Sequence, residues 1–295
     1  MSETEPHPDA GSPTSVEPER DLFGNTPKGR ADWSHRRGEP RGLALGWTLY
    51  LMVASVFAFG PSAWAAADPS TYRPAAVRLV VLVSIGLFVL WPLVRLSQAW
   101  PRTAVRSAIV DAAVLLSPAM LLIWPHVVLA WWPVEVAGAL TVLLLGWTGV
   151  ATALLVGLAS GDEGVTGRVV GLGVWLGAVV VAPLGALVLG LGGGLAAEPG
   201  AAFSGAWWMV SPVSGVHEIA RDRSWSGRPA QVAPEHWRAI GVVWMVAGVV
   251  WGWALLRRGA ALEAGAEAAV GADAGPDVVA GAEGGESTAA ESVRA

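Results

Sequence analysis

One carboxylate, Asp111, stands well inside an apolar stretch that runs from Ala108 to about Trp131. A charge at the centre of a membrane helix costs about 2.5–3.5 kcal/mol on insertion scales, so such a residue is a suspect for carrying an ion or proton. Asp111 lies one helical turn past Ser107, where it would also reach water, Arg106 or a neighbouring helix. A second group is Ser211, Pro212, Ser214, His217, Glu218 and Arg221. Pro212 suits the first position of a helix with Ser211 as its N-cap. Helical spacing puts Val213, Val216 and Ile219-Ala220 on one face, with His217, Glu218 and Arg221 on the other. His126 and Glu135 flank a tight turn and are expected to cap it.

Other chemistry is excluded by what the chain lacks. It has no Cys, hence no disulfide, thiolate nucleophile or Cys-ligated metal. The five His residues show no i,i+4 pair, and His217-Glu218 fails as a zinc-protease motif because Arg221 stands where the second His is needed. No GxSxG elbow is present. The single Lys, Lys28, lies outside any nucleotide-binding loop. Gly171/Gly173/Gly177 and Gly190/Gly192/Gly193/Gly194 lie inside an apolar run, so they are expected to pack helices closely. The same is expected of Gly248 and Gly252. The chain is therefore not expected to be an enzyme, nor to hold a catalytic residue, a cofactor or a metal. No nucleic-acid partner is expected.

The elements that would position these residues are membrane helices. The chain is 53% hydrophobic and 15% charged with a mean hydropathy of +0.50, and 17 Trp suit the headgroup level. The expected fold is all-α, a polytopic integral membrane bundle with helices near 43–60, 79–96, 108–131, 134–158, 169–195 and 240–256. Arg95 would snorkel from the end of the second. The third and fourth runs are two crossings or a kinked hairpin. Arg36-Arg37 followed by an apolar run and Ala63-Trp64-Ala65 imitate a signal peptide, but the run is too long, so we expect a retained helix. Residues 1–41 and 259–295 read as disordered tails, the first polar and basic near the membrane, the second acidic. Between the last two runs, 205–238 reads as an external amphipathic segment anchored by Trp207 and Trp208.

Arginine placement orients the bundle. With a cytoplasmic N-terminus, Lys28, Arg30, Arg36, Arg37, Arg41, Arg95, Arg102, Arg106, Arg168, Arg257 and Arg258 fall inside. Arg73, Arg78, Arg221, Arg223, Arg228 and Arg238 fall outside. The positive-inside rule then puts both tails in the cytoplasm.

The run Ser211-Pro212-Val213-Ser214, then Arg221, a polar stretch to Trp237-Arg238, and a final helix from Ile240 closed by Arg257-Arg258 resembles the C-terminal part of type-2 ABC exporter permeases. The six-crossing plan resembles theirs as well. The resemblance implies that 211–221 is an external gate helix. It also implies that Ser97–Arg106, with Trp100, Arg102 and Arg106, is a loop facing a separate ATPase. This loop is short, and Pro101 interrupts it. The implied protein is a multi-pass permease of the bacterial inner (plasma) membrane, paired with a second copy or a paralogue and surrounded by lipid. The alternative is a non-catalytic membrane scaffold or accessory protein.

Overall fold

The computed structural model describes residues 40–62, 69–97, 103–159, 164–181, 209–222 and 230–273. Every regular element among the described residues is helical. Helix α1 is Pro40–Phe59, and α2 is Pro69–Ile85, continued by a π-helical segment, Gly86–Leu90, and by α3, Trp91–Leu96. Next come α4, Ala104–Ile123, the short α5, His126–Leu129, and α6, Val134–Ala159. Helix α7, Gly164–Leu176, also ends in a π-helical segment, Gly177–Val181. A nine-residue helix, α8, covers Pro212–Ala220, and α9 covers Pro234–Asp273. Five spans are long and apolar enough to cross a membrane: Arg41–Phe59, Thr71–Leu96, Ala104–Leu129, Val134–Ala159 and Pro234–Glu263.

Several boundaries lie beyond the apolar runs. The second helix begins at Pro69, not near 79, since proline is favoured at a helix start and its polar first turns carry Arg73 and Arg78. The last helix begins at Pro234 for the same reason. It also continues to Asp273, where a disordered tail was expected from 259. Ala, Glu and Leu in that stretch are good helix formers, and a helix can form there without large apolar residues to bury. The fifth run is described only to Val181, and 274–295 and 1–39 lie outside the described residues.

Side-chain contacts fix the direction of each helix. Phe59 stacks on Tyr72 while Tyr50 hydrogen-bonds Leu82 O, so α1 and α2 run antiparallel. Trp47 donates to Leu115 O and Phe59 meets His126, so α1 and α4–α5 run parallel. The reversal between α5 and α6 occupies Ala130–Pro133, with Trp131 in the left-handed region at φ 53°. That tight connection makes α4 and α6 antiparallel neighbours, and the spans Ala104–Leu129 and Val134–Ala159 are each long and apolar enough to cross a membrane. Helix α7 opposes α6, since Leu158 packs at Gly171 and Trp147 at Trp175. Helix α9 follows α6 in parallel, with Val243 and Trp244 at Gly146, Ala247 at Gly149 and Trp253 at Gly157. The described passes thus alternate in direction along the chain.

Helix α6 is the axis of the bundle: 61% of its span is buried, against 22% for α1 or α9. Its Leu140, Leu143 and Leu144 are fully enclosed. Helices α1 and α9 instead leave Leu45, Met52, Phe57, Met245, Val249 and Leu256 exposed, an arrangement suited to hydrocarbon surroundings. Of the glycines expected to pack helices, Gly171 meets Leu158 of α6, while the others described have no neighbour among the described residues. Gly173, Gly177, Gly248 and Gly252 face open space, whereas Gly86 makes room for Trp47 and Tyr50 and Gly157 for Trp253. Gly190 and Gly194 lie outside the described residues.

Candidate functional site

Asp111 is 3% exposed and pairs with Arg95, whose Nε lies 2.9 Å from Asp111 Oδ2. Arg95 is equally buried and its Nη2 donates to Ser107 Oγ. The snorkelling expected of Arg95 does not occur. Its guanidinium turns inward because α3 and the start of α4 run antiparallel, which brings Asp111 to the same depth. The pair is isolated from water, so its net charge of zero is what makes the burial tolerable. Arg106, one of the residues expected to face a partner, is exposed on α4. Trp100 and Arg102 lie outside the described residues.

Pro92 shapes the middle of the bundle. Pro92 has no N–H, so Phe88 O loses the donor that an α-helix would aim at it. Trp175 Nε1 supplies a donor at 2.7 Å. Pro183 stands in the same relation to Val179 O in the sequence, and there Ser211 Oγ donates at 2.6 Å. Both carbonyls belong to π-helical segments, which often mark functional positions.

Ser211 therefore has two tasks. It N-caps α8, accepting from Val213 N at 3.3 Å, and it ties α8 to α7. Gly215 of α8 packs against Leu143, nine residues beyond the start of α6. At about 1.5 Å per residue that is roughly 14 Å along α6, close to half of a hydrocarbon core about 30 Å thick. The N-terminus of α8 thus sits near mid-bundle, flanked by α2 and α6.

The other end of α8 rises to the end of the bundle that carries His126. Glu218, only 2% exposed, receives Arg221 Nε at 2.7 Å from Oε2 and Arg221 Nη2 at 3.1 Å from Oε1. His236, the third residue of α9, places Nε2 at 3.8 Å from Glu218 Oε1. Beyond Arg221, Asp222 accepts from Ala230 N at 3.1 Å and lies 3.8 Å from Arg73 of α2. Arg73 in turn donates to Ala130 O at 2.9 Å. Burial holds the His217 imidazole below the ordinary histidine range; Arg221 pushes the same way and Glu218 opposes.

The expected polar face of this helix is corrected in part, and Trp207 and Trp208, its expected anchors, lie outside the described residues. Ser211, Pro212, Gly215, Val216, Glu218, Ile219 and Ala220 are all buried, so α8 has no wet face that contains Glu218. Arg221 compensates the carboxylate and so permits its burial, with His236 packed beside it. Ser214 and His217 are half-buried. His126 is no surface cap either; it is 3% exposed inside a cluster of Phe59, Tyr72 and Trp132. Glu135 is exposed.

The structure brings Ser211, Pro212, Ser214, His217, Glu218 and Arg221 together on one short helix, and sets Asp111 apart at the opposite end. Sequence reasoning missed Arg95, Trp175 and His236 as partners. Pro92 and Pro183 were the available signal, since each marks a carbonyl in search of a donor. No group of three or more metal-ligating side chains occurs among the described residues. Comparison with protein-family models, with curated proteins and with solved structures finds no match to this chain.

Proposed function

We propose that this chain is the membrane-spanning permease subunit of an ATP-driven exporter of the type-2 ABC kind, working with a separate ATPase. The observation that carries the reading is α8: a half-helix that starts near mid-bundle and ends in a charged cluster at one end. Non-helical backbone at membrane depth is tolerated where protein encloses it or where it lines a polar path. Discontinuous helices of this sort build transport sites in other carriers. The alternating passes fit six crossings, with the fifth apolar run continuing past Val181. The arginine distribution then puts the Arg95 end and both tails in the cytoplasm of a bacterial plasma membrane and the Glu218 end outside. The open faces at Gly173/Gly177 and Gly248/Gly252 would accept a second copy or a paralogue.

Co-expression with the ATPases encoded beside its gene tests the reading. A stable complex whose ATP hydrolysis falls when the Arg102–Arg106 loop is altered is expected. If no ATPase co-purifies and no neighbouring gene encodes one, the reading fails.

One observation favours a second reading, a non-catalytic membrane scaffold. Asp111, the carboxylate one turn inside the third apolar run, is already neutralised by Arg95 within the same chain. Under that reading Asp111→Asn and His217→Ala leave any associated activity intact.

A further inference from the structure

His236 joins two elements that function alone does not require to be joined in a titratable way. It is the third residue of α9, and its Nδ1 accepts a hydrogen bond from Ala233 N at 2.9 Å. Ala233 precedes Pro234, the first residue of that helix, so the imidazole reaches back to cap the helix start as a glutamate does in a capping box. Its other nitrogen, Nε2, points toward the buried Glu218 of α8. A neutral imidazole has one N–H and one lone pair. Because Nδ1 is spent as the acceptor, the proton of the neutral ring sits on Nε2.

Protonation puts an N–H on Nδ1 as well. Two donors, Nδ1–H and the Ala233 N–H, would then face one another, and the cap cannot persist. Attraction to Glu218 offers little in return, since Arg221 already contacts both of its oxygens. The other charged groups described around the cluster lie on α2, α8, α6 and α9. On α2, Arg73 is matched by Asp222. On α8, His217 is held neutral into acid by burial and by Arg221. On α6, Glu135 is exposed, and on α9 itself Glu235 is half-buried and Arg238 exposed.

We propose that His236 is an acid-sensitive latch: neutral, it caps α9 against the Glu218 end of α8, and protonated, it releases the two. The proposal does not depend on the exporter reading.

The test is hydrogen exchange of the full-length protein in lipid nanodiscs, at neutral pH and at about pH 5.5, corrected for the intrinsic pH dependence of exchange. The Ala233 amide is expected to lose about tenfold in protection on acidification, the scale of one hydrogen bond. In His236→Gln the amide oxygen accepts the same bond at either pH, so the acid-induced loss should vanish; in His217→Gln it should persist. A loss that survives in His236→Gln, or an Ala233 amide equally protected at both pH values in the wild type, overturns the latch. Should His236→Gln fail to fold, nitrogen NMR of the wild-type ring decides. The latch requires the Nε2–H tautomer at neutral pH, and the Nδ1–H tautomer refutes it.

Discussion

Trp175 donates its indole N–H to the Phe88 carbonyl, 2.7 Å away, at the place where Pro92 has removed the donor that an α-helix would supply. A helix that carries a proline at this depth must find another hydrogen-bond partner for the freed carbonyl, and α7 brings one. Trp175→Phe keeps most of the ring and removes only the donor. It should destabilise the protein by about 1–3 kcal/mol, the cost of a buried carbonyl left without a partner. In a Pro92→Ala background the backbone regains an N–H at that position, so the same substitution should cost less. A double-mutant cycle on unfolding in detergent reads the difference, and equal costs in both backgrounds would show that the indole serves only to fill space.

The close approach of α6 and α9 rests on Gly157. The Trp253 ring occupies the space where a Cβ on Gly157 would stand, and Arg257 lies over the same ring, 5.2 Å from its centroid. Gly157→Ala should therefore cost about 1 kcal/mol, since the outer edge of the indole must give way and its packing on α6 is lost. Gly248→Ala and Gly252→Ala meet open space and should be neutral in the isolated chain. If they instead break up an oligomer resolved by mass photometry or native mass spectrometry, a second helix docks on that face.

Apolar run length reveals where long apolar helices lie, and on that count three of the five, α1, α4 with α5, and α6, sit close to where composition puts them. The same signal is blind to polar first turns, which is why Pro69 and Pro234 escaped it. Partnership is harder to read than position. Glu218 looked like a residue of a wet helix face, because helical spacing reports which residues share a face and says nothing about what that face meets. A carboxylate is buried or exposed according to what comes to it: Arg221 supplies the cation from three residues on, and His236 closes over it from eighteen residues further along the chain. Arg95 and Asp111 are sixteen residues apart, a separation that a hairpin of two antiparallel helices converts into contact, once the turn between them is known.

His217 gives a pH-dependent stability of definite sign. Its folded-state pKa is depressed, chiefly by burial, so the folded protein binds this proton less readily than the unfolded chain. The associated stability is fully present above the ordinary histidine value of about 6.5 and is lost as pH falls below it toward the depressed value. His217→Gln removes this contribution, so the decline in melting temperature from neutral pH into mild acid should be shallower in the variant. A decline as steep as that of the wild type would mean that His217 is solvated and ordinary.

The Arg95–Asp111 pair separates charge from shape. Both side chains are 4% exposed, so removing either one strands the other charge in the bundle. Arg95→Ala and Asp111→Ala should each cost about 3–5 kcal/mol, the usual effect of breaking a buried ion pair. Replacing both at once, with Arg95→Met and Asp111→Leu, leaves no charge to strand and should restore most of the stability lost in either single variant. Unfolding in detergent measures the three stabilities, and transport or ATPase stimulation in the doubly apolar variant adds a second reading. A stable but inactive double variant would make the pair part of a working path. A stable and active one would make it a structural clasp between the second and third membrane helices, formed because the hairpin puts two opposite charges at one depth.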